Sequence, residues 1–129
     1  MYSTLEQPAE VDPIVELVYN EINAHRVMTK LKMSGMNHNT TDPAEKNRNA
    51  GRIAYNREYE KNVQELDRLI KNYTGFRDLR MALNDFARTL HQTGKRRLWG
   101  TGAANYHCAC AMQDFSRSII KAFKKLPKN

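Results

Sequence analysis

Residues 76–90 read FRDLRMALNDFARTL, and within them Phe76, Leu79, Leu83, Phe86 and Leu90 recur at intervals of 3, 4, 3 and 4. Those intervals keep five apolar side chains on one side of a helix of about 3.6 residues per turn, whereas a strand would need alternation by two. The segment is an amphipathic, core-facing helix that the periodicity ends near Gln92-Thr93-Gly94. Strand-like alternation is absent over any useful length of the chain, so the predicted class is all-α.

Upstream, Asp12-Pro13 and Asp42-Pro43 repeat one start signal. An acid that can accept the first amide hydrogens precedes a proline at the first helical position. From Pro13 an apolar series of Ile14, Leu17, Val18, Ile22, His25, Met28 and Leu31 predicts a first helix ending at Ser34-Gly35. From Pro43, with Glu45 at the third helical position, a second helix is predicted to Tyr73. Its seam is Tyr55, Tyr59, Val63, Leu66, Ile70 and Tyr73, and backward extension meets Arg52 and Arg48 instead of apolar residues. With Gly51 weakening helicity there by about 1 kcal/mol, the first half of this helix is expected to project beyond the core or to fray. Downstream, Cys108, Met112, Phe115, Ile119, Ala122 and Leu126 mark a last helix from about Ala103, closed by Pro127. Four helices with short connections predict one helical bundle over residues 1–129, with 1–11 flexible, 34–42 a loop and 94–102 a basic loop.

Composition agrees with a single globular domain: 129 residues, 40% apolar and 27% charged. Two cysteines, Cys108 and Cys110, are too few and too close for a disulfide framework, which points to a reducing, cytoplasmic setting. Residues 1–13 lack a basic stretch followed by an apolar one, so no secretory signal is expected. No apolar run approaches the roughly 20 residues of a membrane span.

Charge is the distinctive property. Lys and Arg number 21 against 14 Asp and Glu, a net of +7, which suggests an anionic partner. The excess is graded along the chain. Residues 1–42 carry 3 bases and 6 acids, 43–93 carry 10 and 7, and 94–129 carry 8 and 1, with Asp114 the lone acid of the last segment.

Three basic groupings follow. Lys95-Arg96-Arg97-Leu98-Trp99 joins cations to an indole, a composition suited to phosphates and unstacked bases. Its bland reading is that the cations cap the carbonyl end of the third helix while Leu98 and Trp99 enter the core, where a lone tryptophan of a small domain is usually found. Arg77, Arg80, Asn84, Arg88 and His91 form a helical stripe with no carboxylate of its own. Either the fold brings an acid to it, with Glu16 and Glu21 the obvious donors, or a ligand's phosphates do. Arg117, Lys121, Lys124 and Lys125 line the last helix opposite Phe115, Ile119, Ile120, Phe123 and Leu126, which is ordinary for a bundle helix whose cations complement its dipole. Tyr55 and Tyr59, beside Arg48 and Arg52, read as the rim of the core more readily than as base platforms.

Tyr106-His107-Cys108-Ala109-Cys110 is the one stretch that invites catalytic or metal chemistry. Cys108 and Cys110 point about 200° apart on a helix, so they do not face one ion together. A His107, Cys110, Asp114 stripe has the spacing of a thiolate with its base and orienter, but no oxyanion-stabilising motif accompanies it. Gly100-Thr101-Gly102 does not form a phosphate loop. No enzyme activity, metal or cofactor is therefore expected. The leading expectation is a nucleic-acid-binding protein, for DNA or RNA, that contacts backbone phosphates with low sequence specificity through Arg77, Arg80, Arg88, Lys95, Arg96, Arg97, Trp99, Arg117, Lys121, Lys124 and Lys125. The competing one is a non-enzymatic protein-interaction module, an inhibitor or assembly adaptor, meeting an acidic protein surface or forming a homo-oligomer through its acid-to-basic polarity.

Overall fold

The computed structural model describes residues 12–73, 76–100 and 102–127, without the side chains of 76, 77 and 103. Among the described residues there are four helices and no strand: α1 (Pro13–Ser34), α2 (Pro43–Lys71), α3 (Phe76–Arg97) and α4 (Ala103–Lys124). The expectation of a flexible 1–11 segment and the core position of Phe76 lie outside the described residues.

Both predicted starts are built as their chemistry requires. Asp12 Oδ1 accepts from the Ile14 amide and Asp42 Oδ1 from the Ala44 amide, each at 3.1 Å, with proline opening the helix. α1 buries Ile14, Val15, Val18 and Ile22, but Met28 is 56% exposed and Leu31 62%, against the expectation that they continue the core face. The reason is angular. Three successive steps of three residues from Ile22 turn a helix by about 180°, so Leu31 lies opposite Ile22, and steps that restore the phase reach His25 and Thr29 instead.

α4 is the helix against which the other three pack. Its contact positions are small: Ala109, Ala111, Ser116, Ser118 and Ala122 are buried and let three neighbours approach one axis. Phe115 fills the centre, edge-on to Tyr59 at 4.9 Å and to Phe86 at 6.0 Å between ring centroids. Contacts also give the directions. Gly94 approaches Ala109 while Ser116 Oγ donates to the Ala87 carbonyl at 2.7 Å, so α3 and α4 are antiparallel. Gly51 meets His107 and Tyr59 meets Ser118, so α2 and α4 run the same way. α1 opposes both, with Arg26 forked onto Glu60 and Glu21 paired with Lys125. The result is an up-down-up-down bundle.

Two glycines explain departures from the sequence expectation. α2 does not fray at Gly51, because that residue is buried under the His107 imidazole, where a Cβ would collide with the ring. α3 does not stop at Gly94. A Cβ there would stand 2.9 Å from the Ala109 carbonyl oxygen, so the glycine permits close helix contact and α3 runs on to Arg97. The expected basic loop of 94–102 is thus a helical turn followed by a shorter connection from residue 98. No helix among the described residues is long and apolar enough to cross a membrane.

Candidate nucleic-acid interface

The fold first disposes of the charge gradient. Because α1 is parallel to α3 and antiparallel to α4, the acidic start of α1 lies at the bundle end that holds the start of α3 and the finish of α4. Asp12, 1% exposed at its side chain, receives the Arg80 guanidinium in a two-bond fork, Nε to Oδ2 at 2.7 Å and Nη2 to Oδ1 at 2.6 Å. Burial pushes the Asp12 carboxyl up, but the Arg80 fork, the Ile14 amide and the Arg80 charge together hold it below its ordinary value. Glu21 similarly pairs with Lys125. The acid that meets the arginine stripe is therefore the cap residue Asp12, with neither Glu16 nor Glu21 involved in that pair.

Towards the opposite end, α3 carries exposed cations of its own. With α3 continuous through Gly94, Arg88 and Lys95 belong to one helix. Seven residues advance it by two turns less about 20°, which sets the two side chains in one row about 10 Å apart. Trp99 follows in the turn just past the helix end. Asn84, Arg88, His91, Gln92, Lys95 and Arg96 are all exposed along this side of α3. Arg88 has a 3.5 Å contact to Asp85, both side chains 68% exposed, a pairing too solvated to hold it. A carboxylate does therefore border the stripe, but weakly.

Trp99 is 85% exposed, so the core reading of this residue is corrected. Since α3 extends a further turn, Gly94 occupies the α4-facing position and the indole falls past the helix end, on its outer side. Its backbone is nonetheless fixed. The Leu98 amide donates to Gly94 O at 3.1 Å, Trp99 to Arg96 O at 3.1 Å and Gly100 to Arg97 O at 3.0 Å. Asn105 Nδ2 donates to the Arg97 carbonyl, and a Cβ on Gly100 would sit 2.5 Å from that amide nitrogen. Gly102 takes φ +100°, where a side chain would be strained. Arg97 is drawn inward to hold this turn. Its Nε donates to Asn105 Oδ1 at 3.2 Å, and its Nη1 lies 3.5 Å from the buried Glu58 carboxylate.

Other sequence-predicted residues divide between the ends. Arg117 is paired with Asp114 at 2.7 Å, while Lys121 and Lys124 are exposed near the finish of α4, about 30 Å along the helix from the α3–α4 corner. The side chain of Arg77 lies outside the described residues. Arg48 and Arg52 are exposed on the α2 turns that flank the Gly51–His107 contact, which places them at the corner's end of the bundle. Tyr106 is also exposed there, one residue beyond Asn105, with its ring edge-on to His107 at 5.4 Å.

A polar network that periodicity alone did not indicate crosses the core rim. The Tyr55 hydroxyl donates to Asp114 Oδ2 at 2.5 Å and stands 2.6 Å from His25 Nε2, tying α1, α2 and α4 together. Tyr59 stacks on His25 with ring centroids 4.6 Å apart and its hydroxyl meets Ser118 Oγ at 3.2 Å. Burial foremost, then the Asp114 hydrogen bond and charge, pushes the Tyr55 phenol far up, and burial raises that of Tyr59 to about 12. Tyr55 thus sits at the rim as expected, whereas Tyr59, 1% exposed, belongs to the core itself. Asp114 is occupied by Tyr55 and Arg117, so His107, Cys110 and Asp114 are not joined in a hydrogen-bonded relay among the described residues. No group of three or more His, Cys, Asp or Glu able to hold a metal occurs among them either.

No protein-family model, no curated protein and no solved structure matches the chain. The functional reading therefore rests on this corner and the row of cations leading to it.

Proposed function

We propose that the chain is a small nucleic-acid-binding protein that contacts backbone phosphates with low sequence specificity. The observation that carries this reading is the exposed cations Arg88, Lys95 and Arg96 along α3, followed just past the helix end by the exposed Trp99. Cations in a row without buried acid partners gain by releasing counterions from a polyanion, and few groups along it are placed to read base edges. α4 adds to the potential, since its first turn contains no acid and its cap, Gly102, supplies no side-chain acceptor. Arg80, Arg97 and Lys125 act inside the fold in this reading, and Lys121 and Lys124 form a separate patch. The two free thiols accord with a cytoplasmic setting.

The test is a binding titration of a fluorescent oligonucleotide at low and at moderate salt. Affinity that falls steeply with salt supports the reading, while absence of binding at low salt refutes it. The interaction-module reading is favoured by a different observation, the outward face of α1, where Val27, Met28 and Leu31 are all more than half exposed. A salt-sensitive oligomer in gel filtration, with no binding of the oligonucleotide, would support that reading instead.

A further inference from the structure

Every cation of the α3 row would serve a duplex and a single strand equally, but Trp99 would not. We infer that the corner takes single-stranded nucleic acid, with a base stacked on the Trp99 indole and the neighbouring phosphates on Lys95 and Arg96. This rests on the nucleic-acid reading above and narrows its ligand.

The inference starts from the way the indole is held. A wholly mobile side chain at a loop tip would carry no such meaning, but residues 98–100 are tied by three backbone hydrogen bonds and by Asn105. The protein thereby fixes the backbone beneath a large apolar ring and leaves that ring 85% exposed, against the ordinary tendency of tryptophan to be covered. A duplex presents phosphates and groove edges to such a ring, because its base faces are already stacked on one another. A single strand presents unstacked faces, and aromatic stacking on them is tolerant of sequence. Charge complementarity fixes the rest of the occupant. Lys95 and Arg96 precede the indole by one helical turn or less, and neither has a carboxylate partner among the described residues, so a strand laid along α3 meets cation and ring in succession. Tyr106 supplies a second exposed ring at the same end.

Trp99 is the single tryptophan of the chain, so its fluorescence reports this contact alone. The experiment titrates the full chain with an oligothymidylate of about 12 nucleotides, with the same strand annealed to its complement, and with inorganic polyphosphate as a polyanion without bases. The expected result is quenching by the single strand, binding of that strand about tenfold tighter than the duplex, and binding of polyphosphate without comparable quenching. Trp99→Ala should cost about tenfold in single-strand affinity and little for polyphosphate, while Trp99→Phe should retain most of the single-strand affinity. Because the indole is exposed, Trp99→Ala leaves the fold intact, as helical circular dichroism would confirm. Equal salt-sensitive affinity for the two strand states, or no effect of Trp99→Ala, would overturn the stacking inference while leaving phosphate binding in place. No binding of any of the three at low salt would overturn both.

Discussion

Replacing Arg80 by Ala separates the cations that hold the fold from those offered to a ligand. In the native protein the guanidinium makes two short bonds to Asp12, whose side chain is 1% exposed, and the same carboxylate caps α1 through the Ile14 amide. Removing one partner of a fully buried pair costs roughly 3–5 kcal/mol, because the other charge is left unpaired. Here Arg80 is 43% exposed, so water reaches the carboxylate once the side chain is gone, and the cost should be about 2 kcal/mol. For a domain of this size that corresponds to a fall in Tm of about 8 °C at pH 7. The pH dependence has a definite sign. The Asp12 carboxyl titrates below its ordinary value in the folded state, so its contribution is complete above the unfolded value near 3.9 and is lost as pH falls through the folded one. Thermal unfolding followed by circular dichroism should therefore show the deficit of Arg80→Ala shrinking as Asp12 protonates. In an Asp12→Asn background most of the cost of Arg80→Ala should vanish. A Tm within about 1 °C of the native protein at pH 7, or an undiminished deficit in the Asp12→Asn background, would refute the internal role of Arg80. Its affinity for an oligonucleotide, measured below the Tm, should stay near that of the native protein.

Three further outcomes follow from the same structure. Gly51→Ala should destabilise by about 1–2 kcal/mol in chemical denaturation despite the better helix propensity of Ala, since its Cβ enters the His107 ring, and adding His107→Ala should restore most of the loss. Burial, reinforced by the Lys32 and Lys121 charges and opposed by Asp114, lowers the pKa of His25. Its contribution to stability is thus full above the unfolded value near 6.5 and lost as pH falls through the lower folded one, so His25→Gln should flatten the decline in Tm on acidification from pH 7 to 5. Trp99→Ala should change stability by no more than about 0.5 kcal/mol, where a core tryptophan would cost about 3–5, and denaturant unfolding distinguishes the two.

These predictions also mark what could be read from sequence and what required neighbours. The starts of α1 and α2 are local chemistry, an acid followed by proline, and both are where the residues place them. The apolar stripe of α3 likewise follows from periodicity, as do Phe115, Ile119 and Ala122 of α4, whereas the buried Ala109, Ala111, Ser116 and Ser118 lie off the expected face because three neighbours surround that helix. Gly94 is different, because a glycine that ends a helix and one that lets two helices touch are the same letter. Only the Ala109 carbonyl on α4 tells them apart. Resolving that one ambiguity removes the core alternative for Trp99 and brings two basic groupings onto one helix. The capping role of Asp12 was visible in the Asp-Pro signal, but its ion pair with Arg80, 68 residues away, depends on α1 and α3 running the same way. The drift of Met28 and Leu31 off the core face, by contrast, was available from helix geometry and needed only the phase of successive three-residue steps.

The most direct examination of the α3 row as a phosphate-binding surface is the slope of log affinity against log salt for the single-stranded oligonucleotide. It is measured for the native protein and for the Arg88→Gln, Lys95→Gln, Arg96→Gln triple variant. If these three side chains each neutralise a phosphate, the triple variant should bind more weakly at low salt with a slope shallower by about 2, at roughly 0.7 per phosphate. Native affinity and an unchanged slope in the triple variant would contradict the assignment.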